Sequence, residues 1–157
     1  MAGFLITLIT FIVMEAITWC THKFVMHGFL WNLHEDHHQP EENQVFEKND
    51  LFFVIFAIPA MALMYLGTFN PELKHLFFLG LGITMYGFAY FFVHDIIIHQ
   101  RIKILTRSNN FYVVAIRKAH KVHHKNRYKE DSKCFGMLWV PISFFREALI
   151  STKNARN

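Results

Sequence analysis

Histidine dominates the chemistry available to this chain, and its spacing is regular. Ten of the eleven histidines form four clusters with the patterns H-x4-H, H-x2-H-H, H-x4-H and H-x2-H-H. The members of these clusters are His22 and His27; His34, His37 and His38; His94 and His99; His120, His123 and His124. Imidazole is the commonest metal ligand in proteins, and ten neutral imidazoles exceed what one ion can bind. The repeated pattern therefore predicts a site for two metal ions.

A less specific interpretation of the histidines is a metal-buffering tract. Such tracts are continuous and polar, whereas these clusters are separated by long apolar segments. The eleventh histidine, His75, stands apart from the pattern and is interpreted as an ordinary surface residue.

The composition is that of a membrane protein. Of the 157 residues, 53% are apolar and 18 are Phe. Three apolar runs, at about 3–20, 51–69 and 76–98, approach the roughly 20 residues that a spanning helix needs. The stretch 135–150 is broken by Gly136 and Pro141, which favours an interfacial or re-entrant segment. We expect an all-α integral membrane bundle of three to four spanning helices, forming one domain over residues 1–157.

The histidine clusters differ in how a helix can present them. His34, His37 and His38 follow i, i+3, i+4 spacing, which places them on one face. His22 and His27 are five residues apart, or about 140° around an ideal α-helix, so one flat face cannot present both. Either the two flank the metal centre from neighbouring positions or the helix ends between them, for which the following Gly28 is a plausible stop.

The regions between the clusters supply the expected caps. Residues 39–50 form a polar, solvated loop, in which Asn49 or Asp50 is a good cap for the next helix. After the third apolar run, Ser108 or Asn109 can cap the helix that carries the last histidine cluster.

Two acidic residues are candidates for orienting the histidine ligands by accepting hydrogen bonds from them. Glu15 interrupts the first apolar run, and an ionisable residue at that depth is costly enough to indicate function. It lies seven residues before His22, on the same helix face, so we expect it to hold a histidine or a water near the metals. The alternative is an acid that hydrogen-bonds to a neighbouring helix. Asp95, directly after His94, is the second candidate.

Aromatic residues mark a possible path for a substrate. Tyr86, Tyr90 and His94 recur every four residues on one face of the third apolar run. With Phe92, the two tyrosines are candidates for lining a cavity that leads to the metals. Aromatic packing alone would give the same stripe.

Positive charge predicts the orientation of the chain. Ten basic residues follow the third apolar run: Arg101, Lys103, Arg107, Arg117, Lys118, Lys121, Lys125, Arg127, Lys129 and Lys133. Because cytoplasmic segments hold the excess of Lys and Arg, this segment belongs in the cytoplasm, and all four histidine clusters then lie at the cytoplasmic face. The basic surface could also contact anionic lipid or dock an acidic electron carrier, but nucleic acid is not expected between spanning helices.

The donor set narrows the chemistry. Histidine-rich sites without thiolate suit iron, zinc or copper. A zinc protease would need a motif such as H-E-x-x-H, but Glu35 follows His34 and the next histidine is His37. Two irons beside a bilayer favour oxygen activation and attack on an unactivated C–H bond of a lipid.

The histidine clusters and the residues between them resemble the fatty acid hydroxylase and sterol desaturase superfamily. The stretches that carry the resemblance are 22–31, 34–40, 46–51, 86–95, 99–101 and 119–124. The clusters alone indicate the superfamily. The intervening residues and the short length resemble its bacterial carotene ring hydroxylases.

The resemblance implies a reaction, cofactors and a location. The reaction is hydroxylation of C3 of each β-ionone ring, from β-carotene through β-cryptoxanthin to zeaxanthin. The cofactors are two iron ions held by the ten histidines, replaceable by zinc in purified protein, with O2 and an external ferredoxin-type electron donor. The chain has no G-x-G-x-x-G motif and no cysteine set for a cluster, which agrees with an external donor. The expected location is the bacterial inner membrane, with the active site on the cytoplasmic side.

Two alternatives remain open at this point. The nearer is a fatty acid or sterol hydroxylase or desaturase of the same superfamily. The more distant is a non-catalytic membrane metal transporter, which would need ligands distributed across the bilayer.

Overall fold

The computed structural model describes residues 1–39, 46–125 and 133–154. Some predicted features lie outside the described residues: Pro40 as the end of a helix, the loop acids Glu41 and Glu42, and the charged residues Arg127, Lys129, Glu130 and Asp131.

The described residues are mainly helical and contain no strand, which confirms the all-α prediction. Along them the elements are α1 (Ala2–Cys20), π1 (Thr21–Phe29), α2 (Trp31–His38), α3 (Leu51–Phe69), α4 (Lys74–Phe91), π2 (Phe92–Ile98), α5 (Phe111–His123) and α6 (Ile142–Asn154). Here π1 and π2 are π-helical segments that continue α1 and α4. Short 3-10 turns, Lys48–Asp50 and Pro71–Leu73, lead into α3 and α4.

Three helical stretches of the described chain are long and apolar enough to cross a membrane. They are Ala2–Phe29, Lys48–Phe69 and Pro71–Ile98. Their outward side chains, such as Ile12, Ile58 and Phe88, are apolar and exposed, which suits lipid because hydrocarbon cannot hydrogen-bond to polar groups. The protein is therefore a membrane protein, and the first span continues through π1 beyond the predicted end at residue 20.

The central helix of the bundle is α4, which packs against both α1 and α3. Glycine permits this close approach. A Cβ added to Gly80 would lie 2.6 Å from the Ala60 carbonyl oxygen in α3, and one added to Gly82 would lie 2.7 Å from the Thr7 carbonyl oxygen in α1. Small residues at crossings let membrane helices gain van der Waals contact. Through π2, the same central helix carries His94 and His99 to the site.

α5 and α6 pack against each other outside the three spans. Asn110 caps α5, because its side-chain oxygen accepts from the backbone N–H groups of Tyr112 and Val113. The cap thus lies one residue after the nearer of the two predicted positions, Ser108 and Asn109. α6 has 13 residues, fewer than a spanning helix needs, so it adds no fourth span to the described part of the chain.

Candidate metal centre

The two H-x4-H motifs coincide with the π-helical segments, in which hydrogen bonds join residues five apart. The His99 backbone N–H donates to the His94 carbonyl oxygen at 2.9 Å. Ring centroids lie 5.2 Å apart for His22 and His27, and 4.6 Å apart for His94 and His99. A wider helix therefore places side by side two residues that an α-helix would separate by about 140°.

α2 and α5 supply the two H-x2-H-H clusters. The first two histidines of each cluster are buried, and the third, His38 or His124, is half-buried. The rings of His38 and His124 stack with centroids 4.4 Å apart. The two clusters therefore meet at their third members.

Nine of the ten predicted ligands gather into two groups, each with ligand atoms within 4.8 Å of one another. The five-histidine group contains His22, His27, His34, His38 and His123, and the four-histidine group contains His37, His94, His99 and His120. His124 belongs to neither group, although its Nε2 lies 2.8 Å from the His120 Nε2. It stacks on a member of one group and contacts a member of the other, so it lies between them.

Hydrogen bonds at the outer nitrogens orient rings of the five-histidine group. The His22 Nδ1 lies 3.0 Å from the Phe135 carbonyl oxygen, and the His34 Nδ1 lies 2.7 Å from the Asn49 Oδ1. Because both partners are acceptors, both Nδ1 atoms donate, and both Nε2 atoms carry lone pairs. Those two Nε2 atoms are 3.1 Å apart, so they cannot hydrogen-bond to each other.

The four-histidine group repeats this arrangement with charged acceptors. The His37 Nδ1 lies 2.7 Å from the Glu47 Oε2, and the His94 Nδ1 lies 3.3 Å from the Asp95 Oδ2. The inward Nε2 atoms of the two histidines are 3.1 Å apart. In both groups, facing lone pairs repel unless a cation binds them. Outer-nitrogen acceptors of this kind are what metal-binding histidines use, so the residues fit two metal ions.

Burial keeps the histidines outside the spans neutral. Loss of hydration, reinforced by neighbouring imidazoles, places the pKa of five of them far below the ordinary value of 6.5: His34, His37, His99, His120 and His123. Burial lowers the pKa of His124 to about 4. Only the neutral imidazole binds a metal, so at pH 7 these rings can bind ions without first losing a proton.

The sequence predicts one of the acceptors behind the ligands and misses the others. Asp95, the candidate that the sequence offers, has its Oδ2 3.3 Å from the His94 Nδ1. Glu47 and Asn49 fall in the stretch interpreted as a solvated loop, where Asn49 is expected to act as a helix cap. Their signal is their position in 46–51, one of the stretches that carry the resemblance to known hydroxylases. The Phe135 carbonyl has no sequence signal, because every residue has one.

The carboxylate of Glu15 contacts a turn and the neighbouring helix α4, as in the alternative of an acid that hydrogen-bonds to another helix. Among the described residues, it accepts from the backbone N–H groups of 137–139 at 3.0–3.1 Å and from the Tyr86 hydroxyl at 2.7 Å. An irregular turn leaves such N–H groups without backbone partners, and a carboxylate satisfies several at once. The turn follows Phe135, whose carbonyl accepts from His22. Glu15 is therefore connected to the site indirectly, through this turn.

A cavity of about 840 Å³ lies beside the four-histidine group. Its walls come mainly from α3, α4 and the segment 46–50, with a smaller part from α1, and it reaches His94. Tyr86 and Tyr90 lie in its wall. Among the described residues that line it, Phe91 is present and Phe92 is not. Phe92 lies two positions after Tyr90, about 200° around a helix, and is 46% exposed on the outer surface.

The sequence model of one protein family, described as fatty acid hydroxylase, matches residues 7–144. The chain belongs to the fatty acid hydroxylase family. The match includes all four histidine clusters and ends in the first turn of α6. Membership of the fatty acid hydroxylase family confirms the resemblance inferred from the histidine clusters.

Individual relatives carry a narrower name. The β-carotene hydroxylase of Pantoea ananas is 40% identical over 137 residues, covering 87% of this chain and 77% of that protein. The β-carotene hydroxylase of Pseudescherichia vulneris is 38% identical over 152 residues, covering 97% and 85%. The chloroplastic β-carotene 3-hydroxylase 2 of Arabidopsis thaliana is 43% identical over 110 residues, covering 69% and 36%. No solved structure matches the chain.

Proposed function

We propose that this protein hydroxylates C3 of the β-ionone rings of β-carotene, giving β-cryptoxanthin and then zeaxanthin. Relatives named β-carotene hydroxylases align over most of the chain and support this substrate. The family model supports the reaction type. The enzyme is accordingly a membrane monooxygenase of carotenoid biosynthesis.

The position of the cavity is the structural observation that carries the proposal. One end reaches His94, and most of the wall is apolar. Phe53 of α3 and Phe88 of α4 line it and are 53% and 68% exposed on helices that face lipid. A carotene has no polar group and dissolves in the bilayer. It can enter from the side between the helices, with a ring directed to His94 and its polyene directed to the lipid.

The ten clustered histidines are the proposed ligands of two iron ions. When bound, the ions supply the activation of O2 that attack on an unactivated C–H bond requires. An all-imidazole donor set also suits zinc and copper, so purified protein can hold zinc. The chain contributes neutral rings, outer acceptors that orient them, and apolar walls that keep water from the reacting carbon.

The electrons come, in this proposal, from a separate ferredoxin-type carrier. α5 directs His120 and His123 into the site, while Lys121 in the same helix and Lys125 just after it are exposed. A basic surface directly behind the ligands favours an acidic electron carrier, because complementary charge steers association. Anionic lipid is the other partner that this surface suits.

We place the histidine end of the bundle in the cytoplasm of a bacterial cell, at the inner membrane. π1, π2 and the segment just before α3 contribute residues to the same site. The basic residues of 101–125 follow π2, which itself lies at the histidine end of the bundle. Because basic segments stay in the cytoplasm, the 70–74 turn then lies on the outer side.

Pigment analysis in a β-carotene-producing bacterial host tests the proposed function. We expect wild-type protein to convert β-carotene to zeaxanthin. His37→Ala should abolish conversion, because it removes a buried ligand of the four-histidine group. His75→Ala is the matched control, since His75 is exposed in the first turn of α4, and it should retain wild-type conversion.

The family name leaves one alternative function, that of a hydroxylase or desaturase of fatty acids or sterols. Absence of both hydroxylated carotenoids in cells that accumulate the wild-type protein would contradict the carotene proposal. New hydroxyl groups or double bonds in the lipids of the same cells would then favour the rival.

A further inference from the structure

Arg101 joins three carboxylates from separate parts of the chain. Its Nε lies 3.1 Å from the Asp95 Oδ1 in π2. Its Nη2 lies 3.2 Å from the Glu47 Oε2, in the segment before α3, and 3.0 Å from the Asp50 Oδ1. Its Nη1 adds a second contact to Asp50 at 3.3 Å. A guanidinium can make these contacts together because its donors are arranged in a planar fork.

Two of these carboxylates continue directly to histidines of one metal group. Glu47 accepts from the His37 Nδ1 at 2.7 Å, and Asp95 contacts the His94 Nδ1 at 3.3 Å. The inward nitrogens of those histidines face each other at 3.1 Å. One guanidinium therefore supports two ligands of the four-histidine group through two separate carboxylates.

Among the described residues, Arg101 has no hydrogen bond or ion pair with the partners seen behind the five-histidine group. In that group, the His34, His22 and His123 Nδ1 atoms contact the Asn49 side chain and the backbone carbonyls of Phe135 and Lys133. The guanidinium therefore contacts the partners of one group and not these partners of the other.

We propose that Arg101 is a positioning residue for the metal ion of the four-histidine group alone. Without a cation between them, Glu47, Asp50 and Asp95 would repel one another and move apart. Glu47 and Asp95 would then lose their alignment on the outer nitrogens of their histidines. Loss of such outer partners typically weakens metal affinity about 10–100-fold. The five-histidine group should be unaffected, because within the described chain the ion pairs of Arg101 reach Glu47, Asp50 and Asp95 only.

The test is the release of iron from the loaded protein to a chelator, followed over time in detergent. Wild-type protein should release two ions per chain. In Arg101→Gln one ion should leave about 10–100-fold faster, and the other at the wild-type rate. Arg101→Lys should be intermediate, because one ammonium replaces part of the fork. Lys103→Gln, which removes a neighbouring exposed cation, is the control and should match wild type.

Two further measurements separate positioning from general damage to the fold. Asn49→Ala should accelerate release of the other ion, because Asn49 supports His34 of the five-histidine group. The Mössbauer spectrum of the 57Fe-loaded Arg101→Gln variant should change in one iron component only. Unchanged release in this variant, or equal acceleration of both ions, would overturn the proposal. These readouts follow metal and no carotenoid, so they hold or fail independently of the proposed substrate.

Discussion

A single carboxylate near the end of α1 shows how one residue can organise distant parts of the chain. Glu15 joins the 137–139 turn to Tyr86 of α4. Gly136 allows this tight turn, because a Cβ there would collide with the Trp139 carbonyl oxygen and also crowd the Glu15 Oε1. The 137–139 turn also holds the Phe135 carbonyl beside His22. A costly acidic residue in a spanning helix thus has a structural role that extends to the metal site.

Glu15→Gln should lower the free energy of unfolding by about 2–3 kcal/mol, because hydrogen bonds to a charged acceptor are worth more than neutral ones. The amide also directs N–H groups at backbone donors. Tyr86→Phe is the matched variant, since it removes one donor and leaves the turn contacts in place, and it should cost about 1 kcal/mol. Thermal unfolding in detergent measures both. Equal stability of Glu15→Gln and wild type would contradict this role.

At the scale of the element, helix type decides which histidines meet. The H-x4-H spacing is incompatible with one face of an α-helix but suits a π-helix, and both copies of the motif lie in π-helical segments. In π1 the chain leaves helical geometry at Gly28, with φ −118° and ψ −123°, before α2 begins. The change from α-helix to π-helix therefore occurs at the ends of the spans that carry the histidines. π-Helical segments are frequent at functional sites.

α4 also controls the width of the cavity through Gly87. Unlike Gly80 and Gly82, whose added Cβ atoms would collide with α3 and α1, a Cβ at Gly87 would meet only Phe53, at 3.8 Å. Gly87 lies in the cavity wall, seven residues and about 10 Å along the helix axis from His94. A bound polyene with its ring at His94 would have to pass this position.

Gly87→Leu should reduce carotene hydroxylation about tenfold or more by narrowing the cavity, without loss of iron. Helix propensity favours Leu over Gly, so stability should not fall. Adding Phe53→Ala should restore part of the activity by reopening the space. Met85→Leu, on the exposed face of α4, is the control. Full activity of Gly87→Leu beside an active wild type would show that the substrate does not pass Gly87.

For the whole molecule, the site depends on long-range association of helices that are far apart in the chain. The four-histidine group combines residues from α2, π2 and α5, and the five-histidine group combines π1, α2 and α5. With so many imidazoles buried together, the folded state is stable only while these side chains remain neutral. Protonation of these imidazoles therefore destabilises the folded state, and it also competes with metal binding.

The metal-free protein should lose stability as the pH falls below about 6.5, the pKa of an unfolded histidine. His37 and His120, among others, have a lowered pKa in the folded state because they are buried. Below pH 6.5 the unfolded chain then binds more protons than the folded chain. Each such residue costs about 1.4 kcal/mol per pH unit, and for His124 the loss continues to a pH of about 4.

The unfolding midpoint in detergent, measured at pH 7.5 and pH 5, checks this expectation. We expect a clear decrease at the lower pH. His75→Gln should show the same decrease, because His75 is exposed and lies apart from the site. A midpoint that stays constant or rises at pH 5 would contradict the burial of neutral imidazoles.

Much of the fold and of the ligand set follows from local patterns. The three spans are recognisable because hydrocarbon requires long apolar stretches, and this requirement acts on consecutive residues. The histidine clusters are recognisable because residue type and spacing persist in the linear chain. Phe92 shows the limit of such patterns: its aromatic type suits a substrate path, but its direction depends on rotation about the helix, and it faces outwards.

By itself, the sequence determined the all-α membrane architecture, the ten candidate ligands and the family, since all three depend on residue types at fixed separations. Only the tertiary structure decided how nine of those ligands divide into groups of five and four. It alone decided that Glu47, Asn49 and a backbone carbonyl contact the outer ring nitrogens, and that Arg101 contacts Glu47 and Asp95. These partners lie up to 113 residues from the histidines they contact. Contacts over such separations arise from helix packing, which leaves no local pattern to read.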